Sequence, residues 1–141
     1  MANIIPFAFR GELFSGTHDF SNGGNSFKIA LYTGNPYSTS STEYLTAQEV
    51  SASNTGYTTG GKVLAGQAVA SGTAVASVDF TDSSITSATF TAAFAAIYND
   101  TNADKLCVVL DFGGNKTATN GTFTIAFPNP STPANAIISM A

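Results

Sequence analysis

The sequence predicts an all-β fold, a sandwich or barrel of short antiparallel strands. Two observations lead to it. Runs of Val, Ile, Phe, Tyr and Thr alternate with clusters of Gly, Asn, Asp, Ser and Pro along all 141 residues, which is the spacing of strands and turns. Within the clearest runs, apolar residues recur at every second position, the period of a strand that buries one face. Composition supports a folded domain: 43% of the chain is hydrophobic and 11% aromatic, the opposite of a disordered chain. Charged residues make up 10% and the net charge is −4, against about 25% charged in an ordinary soluble domain. The polar surface must therefore be built from the 19 Thr, 15 Ser and 11 Asn.

The first 26 residues stand apart from the rest. Ile5, Phe7 and Phe9 share one face if the chain is extended, and Leu13 and Phe14 follow among glycines. Residues 1–26 read either as a first core strand or as an aromatic-rich arm that docks on a partner by adding a strand or filling apolar pockets. Residues 27–141 then form the β domain. Phe27–Thr33 is the clearest strand, with Phe27, Ile29 and Leu31 on one face, and Gly34-Asn35-Pro36 ends it. Two capping-box patterns, Ser40–Glu43 and Thr46–Glu49, predict a short helix or helical turn within 42–51. Residues 51–61 read as a loop.

Strands are expected at 62–70 and 73–81, joined by a tight hairpin at Ser71-Gly72, and at 85–92. Ala93–Tyr98 is expected to pair with Leu106–Phe112 as a hairpin around residues 99–104. The second of these is almost continuously apolar and fits a strand covered on both faces. Thr122–Phe127 alternates, with Phe123, Ile125 and Phe127 inward, until Pro128 and Pro130 stop it. A last strand is expected at 134–140. Asp111–Gly114 and Asn120-Gly121 read as turns that set register.

Tests for chemistry mostly return absences. His18 is the only histidine and Cys107 the only cysteine. His18 reads as a solvated or hydrogen-bonded side chain and Cys107 as a small buried hydrophobe. Together they cannot supply the usual four N/S ligands of zinc, nor an internal disulfide. Gly56–Lys62 has the spacing of a phosphate loop, but Val63 stands where a hydroxyl should bind magnesium. It reads as a turn rich in left-handed glycines. Asp100, Asn102 and Asp104 resemble the start of a calcium loop, but Lys105 occupies the position that needs glycine. Three N-x-[ST] triplets are what chance provides. Five scattered basic residues make a poor footprint for nucleic acid. No apolar run is long enough to span a membrane, and the opening MANIIPFAFRGELF lacks the basic start of a signal peptide. These readings point to no enzyme, no cofactor and no metal. A neutral, Ala/Thr/Ser/Gly-rich β domain suits broad protein contact, because interface cores are depleted in charge.

Several strings resemble the head decoration or cement proteins of tailed bacteriophages: FKIALYT at 27–33, EVSASNTGYTTGGKVL at 49–64, AAIYNDT at 95–101, VVLDFGGNKTATNGTFTIAFP at 108–128 and NAIISM at 135–140. The resemblance leaves out residues 1–26. It implies an antiparallel jelly-roll-like β-sandwich, here with an extended N-terminal arm. It also implies a virion structural protein, made in the host cytoplasm, that sits on the outer capsid surface, bridges major capsid subunits and stabilises the expanded head. Its partners would be the major capsid protein and copies of itself, as a dimer or trimer, with no nucleic acid and no membrane. On this reading Ile5, Phe7, Phe9, Leu13 and Phe14 contact the capsid or a neighbouring copy. Tyr37, Tyr44 and Tyr57, in long loops, serve as further anchors. The alternative is a tail or fibre module that binds a glycan or receptor, with Tyr57 and the 99–104 turn as its platform.

Overall fold

The structure, a computed structural model, describes residues 3–128 and 136–140. Those residues form two antiparallel sheets and one short helix. In chain order the elements are α1 (Phe7–Phe14), β1 (Phe27–Tyr32), β2 (Lys62–Val63), β3 (Ala68–Ser71), β4 (Ala76–Asp79), β5 (Ser83–Asn99), β6 (Lys105–Ile125) and β7 (Ile138–Met140). The larger sheet runs β2-β1-β5-β6 and the smaller one β3-β4-β7.

The hairpin of β5 and β6, 17 and 21 residues long, organises the molecule. Near its closed end, where Asn99 pairs with Lys105, β1 lies against β5 from Phe27↔Asn99 to Tyr32↔Phe94. The outer edge of β6 is covered there. Ile4 exchanges two backbone hydrogen bonds with Val109, at 2.9 and 2.8 Å, and residues 42–44 pair with 104–106. Covering an edge in this way removes a template for aggregation.

Both faces of this part of the sheet are buried, which explains the unbroken apolar run in β6. On one side Phe27, Ile29, Leu31, Ile97 and Val108 join Phe9, Phe20, Phe80 and Ile138 in the main core, so the two sheets and α1 share it. On the other side Ala30, Tyr32, Ala96, Tyr98, Leu106 and Val109 pack under Tyr37, Tyr44 and Leu45. Aromatic rings knit the main core, with Phe20 stacked on Phe27 at 4.3 Å between centroids.

Several expectations hold in outline. β1, the hairpin around 99–104 and the β3–β4 hairpin lie where the sequence places them. Phe123 and Ile125 face in while Thr122 and Thr124 face out. Other expectations are corrected. The expected strands at 85–92 and 93–98 are one strand, and 106–112 continues into 122–125, where β6 ends short of Ala126 and Phe127. Asp111–Gly114 and Asn120-Gly121 do not turn the chain: Gly113, Gly114 and Asn120 take positive φ within β6. There they act as irregularities that bend a paired ribbon, as bulges do. The expected strand 62–70 is two short pieces, interrupted at Gly66, whose φ is +64°. No helix forms within 42–51. Glu43 and Glu49 make bridges to Lys105 and Tyr32, and Gln48 has φ +62°, which breaks a right-handed helix. Residues 134 and 135 of the last expected strand lie outside the described residues.

The phosphate-loop-like segment is a glycine-rich turn, with positive φ at Gly56, Gly60 and Gly61. Gly61 is where the chain most needs glycine. At φ +82°, a Cβ there would sit 2.0 Å from the carbonyl oxygen of Ile29. Gly61→Ala is expected to destabilise the fold by about 3 kcal/mol, from left-handed strain plus a backbone clash. Urea unfolding measures this; a variant as stable as the parent would show that β1 and β2 yield at that point.

Candidate functional site

The N-terminal segment is helical where the sequence suggested extension. Pro6 precedes the first turn with extended ψ, and its fixed φ suits a helix start. Ala8, Arg10, Glu12 and Leu13 are good helix formers. Phe9 and Leu13, four residues apart, fall on one face, and that face enters the main core with Ile5 beside it. The short Ile5-Phe7-Phe9 alternation suggests a strand, but the 9/13 spacing decides the outcome because it buries a ring. Strand pairing is confined to Ile4.

A neighbouring stripe of α1 carries Phe7, Arg10 and Phe14, at helical positions i, i+3 and i+7. Phe14 is 88% exposed and Phe7 62%. The Arg10 guanidinium lies over the Phe7 ring, 5.4 Å from its centroid. Beside this stripe a groove of about 290 Å³ runs between α1 and β7, walled by Ile5, Phe9, Leu13, Phe14, Ile138 and Met140, with Arg10 on its rim. A second hollow of about 440 Å³ continues past Phe9 and Leu13 toward Val69, Val78 and His18. Met140 and Val69 add to the exposed apolar surface, at 54% and 53%. Four of the five sequence-predicted residues of this segment, Ile5, Phe9, Leu13 and Phe14, thus come together at one groove with Arg10. Phe7 stands next to them. Phe9, 1% exposed, is a core residue and reaches the surface only as groove wall.

Beneath α1 lies a polar cluster that the sequence did not reveal. His18 is buried, its Nε2 2.7 Å from Glu12 Oε2. Asn99 Nδ2, fully buried, donates to His18 Nδ1 at 3.0 Å and to Asn25 Oδ1 at 2.9 Å. These partners assign the proton to Nε2. Lys105 Nζ meets Glu12 Oε1 at 3.0 Å. Cys107 Sγ is 3.7 Å from His18 Nδ1. Thiol, imidazole and carboxylate stand in a row, yet burial, and then the charge of Glu12, push the thiol well above its ordinary value. Fully buried, it lines neither hollow. In this conformation the cluster fastens α1 to the closed end of the hairpin. Burial alone would raise the Glu12 carboxyl, but hydrogen bonds and charge from His18 and Lys105 outweigh it and hold it below its usual range.

Glu12→Gln is expected to cost about 1 kcal/mol and to speed the reaction of Cys107 with a thiol reagent by loosening α1. Because the folded carboxyl is depressed, its share of stability is whole at neutral pH. It begins to fade as pH falls below about 4.5 and is gone below the folded value, so Glu12→Gln flattens the acid limb of the stability curve. Thiol labelling and urea titrations across acid pH check both effects; unchanged labelling would mean the helix is held without Glu12.

The three tyrosines expected as anchors belong to a different structure. Tyr57 and Tyr37, 4% and 7% exposed, are buried in the chain itself, and Tyr44 is half-buried. All three bind the loops to the sheet. Glu49 Oε1 accepts from Tyr57 OH at 2.6 Å and from the Gly60 N–H at 2.8 Å, while its Oε2 accepts from Tyr44 OH. Tyr44 stacks on Tyr98 at 4.7 Å. Tyr32 and Tyr37 share a 2.6 Å hydrogen bond, and each hydroxyl also bonds the backbone of Leu45. Loop tyrosines with a glutamate nearby are as compatible with an internal clasp as with an interface; only the fold shows that Glu49 gathers them.

Among the described residues no His, Cys, Asp and Glu side chains are grouped to hold a metal ion, and no helix is long and apolar enough to cross a membrane. The chain matches no protein-family model, no curated protein and no solved structure.

Proposed function

We propose that the protein is a virion structural protein that decorates and cements the exterior of a bacteriophage capsid, bridging major capsid subunits and stabilising the expanded head. The observation that supports this is the outward aromatic stripe of α1, Phe7 and Phe14, set against an apolar groove. Large exposed rings beside a groove mark a protein-contact surface. The rest of the chain's distinctive chemistry, its histidine, cysteine and tyrosine hydroxyls, is drawn into internal networks, so the reading assigns it no catalysis. The two sheets with their shared core are read as a reduced jelly-roll-like sandwich. Partners are the major capsid protein and further copies of the chain, and the place is the outer capsid surface. A ligand that binds only the expanded lattice stabilises that lattice by mass action, and many symmetric copies add avidity. A glycan-binding tail module loses its best platform, since Tyr57 is enclosed and bonded to Glu49 and to the Leu31 N–H.

The test is co-sedimentation of the purified protein with expanded and unexpanded heads that lack it. Binding to expanded heads, with a rise in their melting temperature, is the expected result, and Phe7→Ser/Phe14→Ser should weaken it while leaving the fold intact. Failure to sediment with either form of head would end the proposal.

A further inference from the structure

Arg10 occupies an unusual position. Among the described residues it is the only charged side chain that lines the groove between α1 and β7, in a chain of net charge −4. Among the described residues its guanidinium has no carboxylate partner. Among the described residues its polar and ring contacts are a hydrogen bond to the Ile5 carbonyl oxygen at 3.4 Å and the face of Phe7. Of the four lysines, Lys28 pairs with Asp100 at 3.2 Å and Lys105 with Glu12 at 3.0 Å, while Lys62 donates to the Ser84 carbonyl and Lys116 has no carboxylate partner among the described residues. A guanidinium is a planar fork that matches a carboxylate in two parallel hydrogen bonds. Stacked on Phe7, it is held before any partner arrives, so less of its freedom is lost on binding. The groove floor beneath it is apolar and has room for a large side chain.

We propose that this face binds a partner segment carrying a carboxylate next to a large apolar side chain, the carboxylate meeting Arg10 and the side chain entering the groove beside Leu13 and Met140. This rests on the capsid-docking reading above and gives the chemistry of the capsid segment that docks. A phosphate backbone is a poor alternative, because one guanidinium on an acidic chain gives no electrostatic footprint. The opposite charge also sets orientation, since a carboxylate on the wrong side of the apolar anchor leaves Arg10 unmatched.

The experiment measures binding to expanded heads lacking the protein, across a salt series, for wild type, Arg10→Gln, Arg10→Lys and Phe14→Ser, with melting curves to show that each variant is folded. Arg10→Gln is expected to weaken binding by about tenfold at low salt and to flatten the salt dependence. Arg10→Lys falls between, keeping the charge but losing the fork. Phe14→Ser weakens binding at every salt concentration. If wild type binds and Arg10→Gln binds equally well with the same salt dependence, the carboxylate assignment is wrong and the docking reading survives. If wild type binds neither expanded nor unexpanded heads, the docking reading itself fails. Self-association of the free protein that is lost in Arg10→Gln would show that a second copy fills the groove, and would overturn the assignment to a capsid segment.

Discussion

Raising the pH above about 10, the ordinary value of a tyrosine hydroxyl, is expected to unfold the protein and ionise its tyrosines in a single step. All five tyrosines have hydroxyls that burial pushes upward. For Tyr44 and Tyr57 a hydrogen bond donated to Glu49 adds to the rise. For Tyr98 the charges of Asp104 and Asp100 add to it. A raised folded value means that the native state keeps protons the unfolded state releases. Stability is therefore whole below about pH 10 and falls as pH climbs past it. Each retained proton costs about 1.4 kcal/mol per pH unit, against a total stability of about 5–15 kcal/mol. The four buried tyrosines, Tyr32, Tyr37, Tyr57 and Tyr98, together remove a large part of that margin within about two units. Tyrosinate absorbance and circular dichroism, followed together, should change as one transition. Stepwise ionisation with the β spectrum intact would show that the hydroxyls reach solvent without unfolding.

Glu49→Ala is expected to destabilise the fold by about 3–5 kcal/mol, because three donors lose their acceptor at once: two tyrosine hydroxyls and the Gly60 N–H. The loss spreads, since Tyr57 also bonds the Leu31 N–H of β1 and Tyr98 donates to the Gly60 carbonyl. Glu49→Gln keeps a carbonyl oxygen at the same place and should cost about 1 kcal/mol. Urea unfolding of the two variants separates these effects. An alanine variant within about 1 kcal/mol of wild type would mean that water replaces the carboxylate without loss.

What the sequence made legible was what alternation and turn residues encode. Phe27, Ile29 and Leu31 declare their face, Asn99–Asp104 declares a hairpin, and Phe123 and Ile125 declare an inward stripe. Hidden were features set by residues far apart in the chain. No local pattern says that β5 and β6 continue through Asp111–Gly114 and Asn120-Gly121, because glycine and asparagine encode a bulge and a turn in the same letters. Capping-box spacing at 40–49 was real as a pattern but lost to pairing of 42–44 with β6, a tertiary override of local propensity. At the candidate site, Phe7 and Phe14 were legible as exposed aromatic candidates. Arg10 was not, since a lone arginine has no signature until the helix sets it over the Phe7 ring. His18 was readable as hydrogen-bonded and Glu12 lies only six residues before it, but Asn99 joins His18, and Lys105 joins Glu12, through contacts of 81 and 93 residues in sequence separation.

Those separations govern the order in which the molecule can be made. On a ribosome the helix that carries the exposed rings emerges before the hairpin, and Glu12 finds Lys105 only after 93 further residues. The hairpin closes over a short turn and so can form quickly, and the edge that receives Ile4 comes into being with it. The proposed docking surface is therefore completed only after the hairpin, although its helix precedes the hairpin in the chain. On the docking proposal, binding is expected only of a molecule that has completed its main sheet.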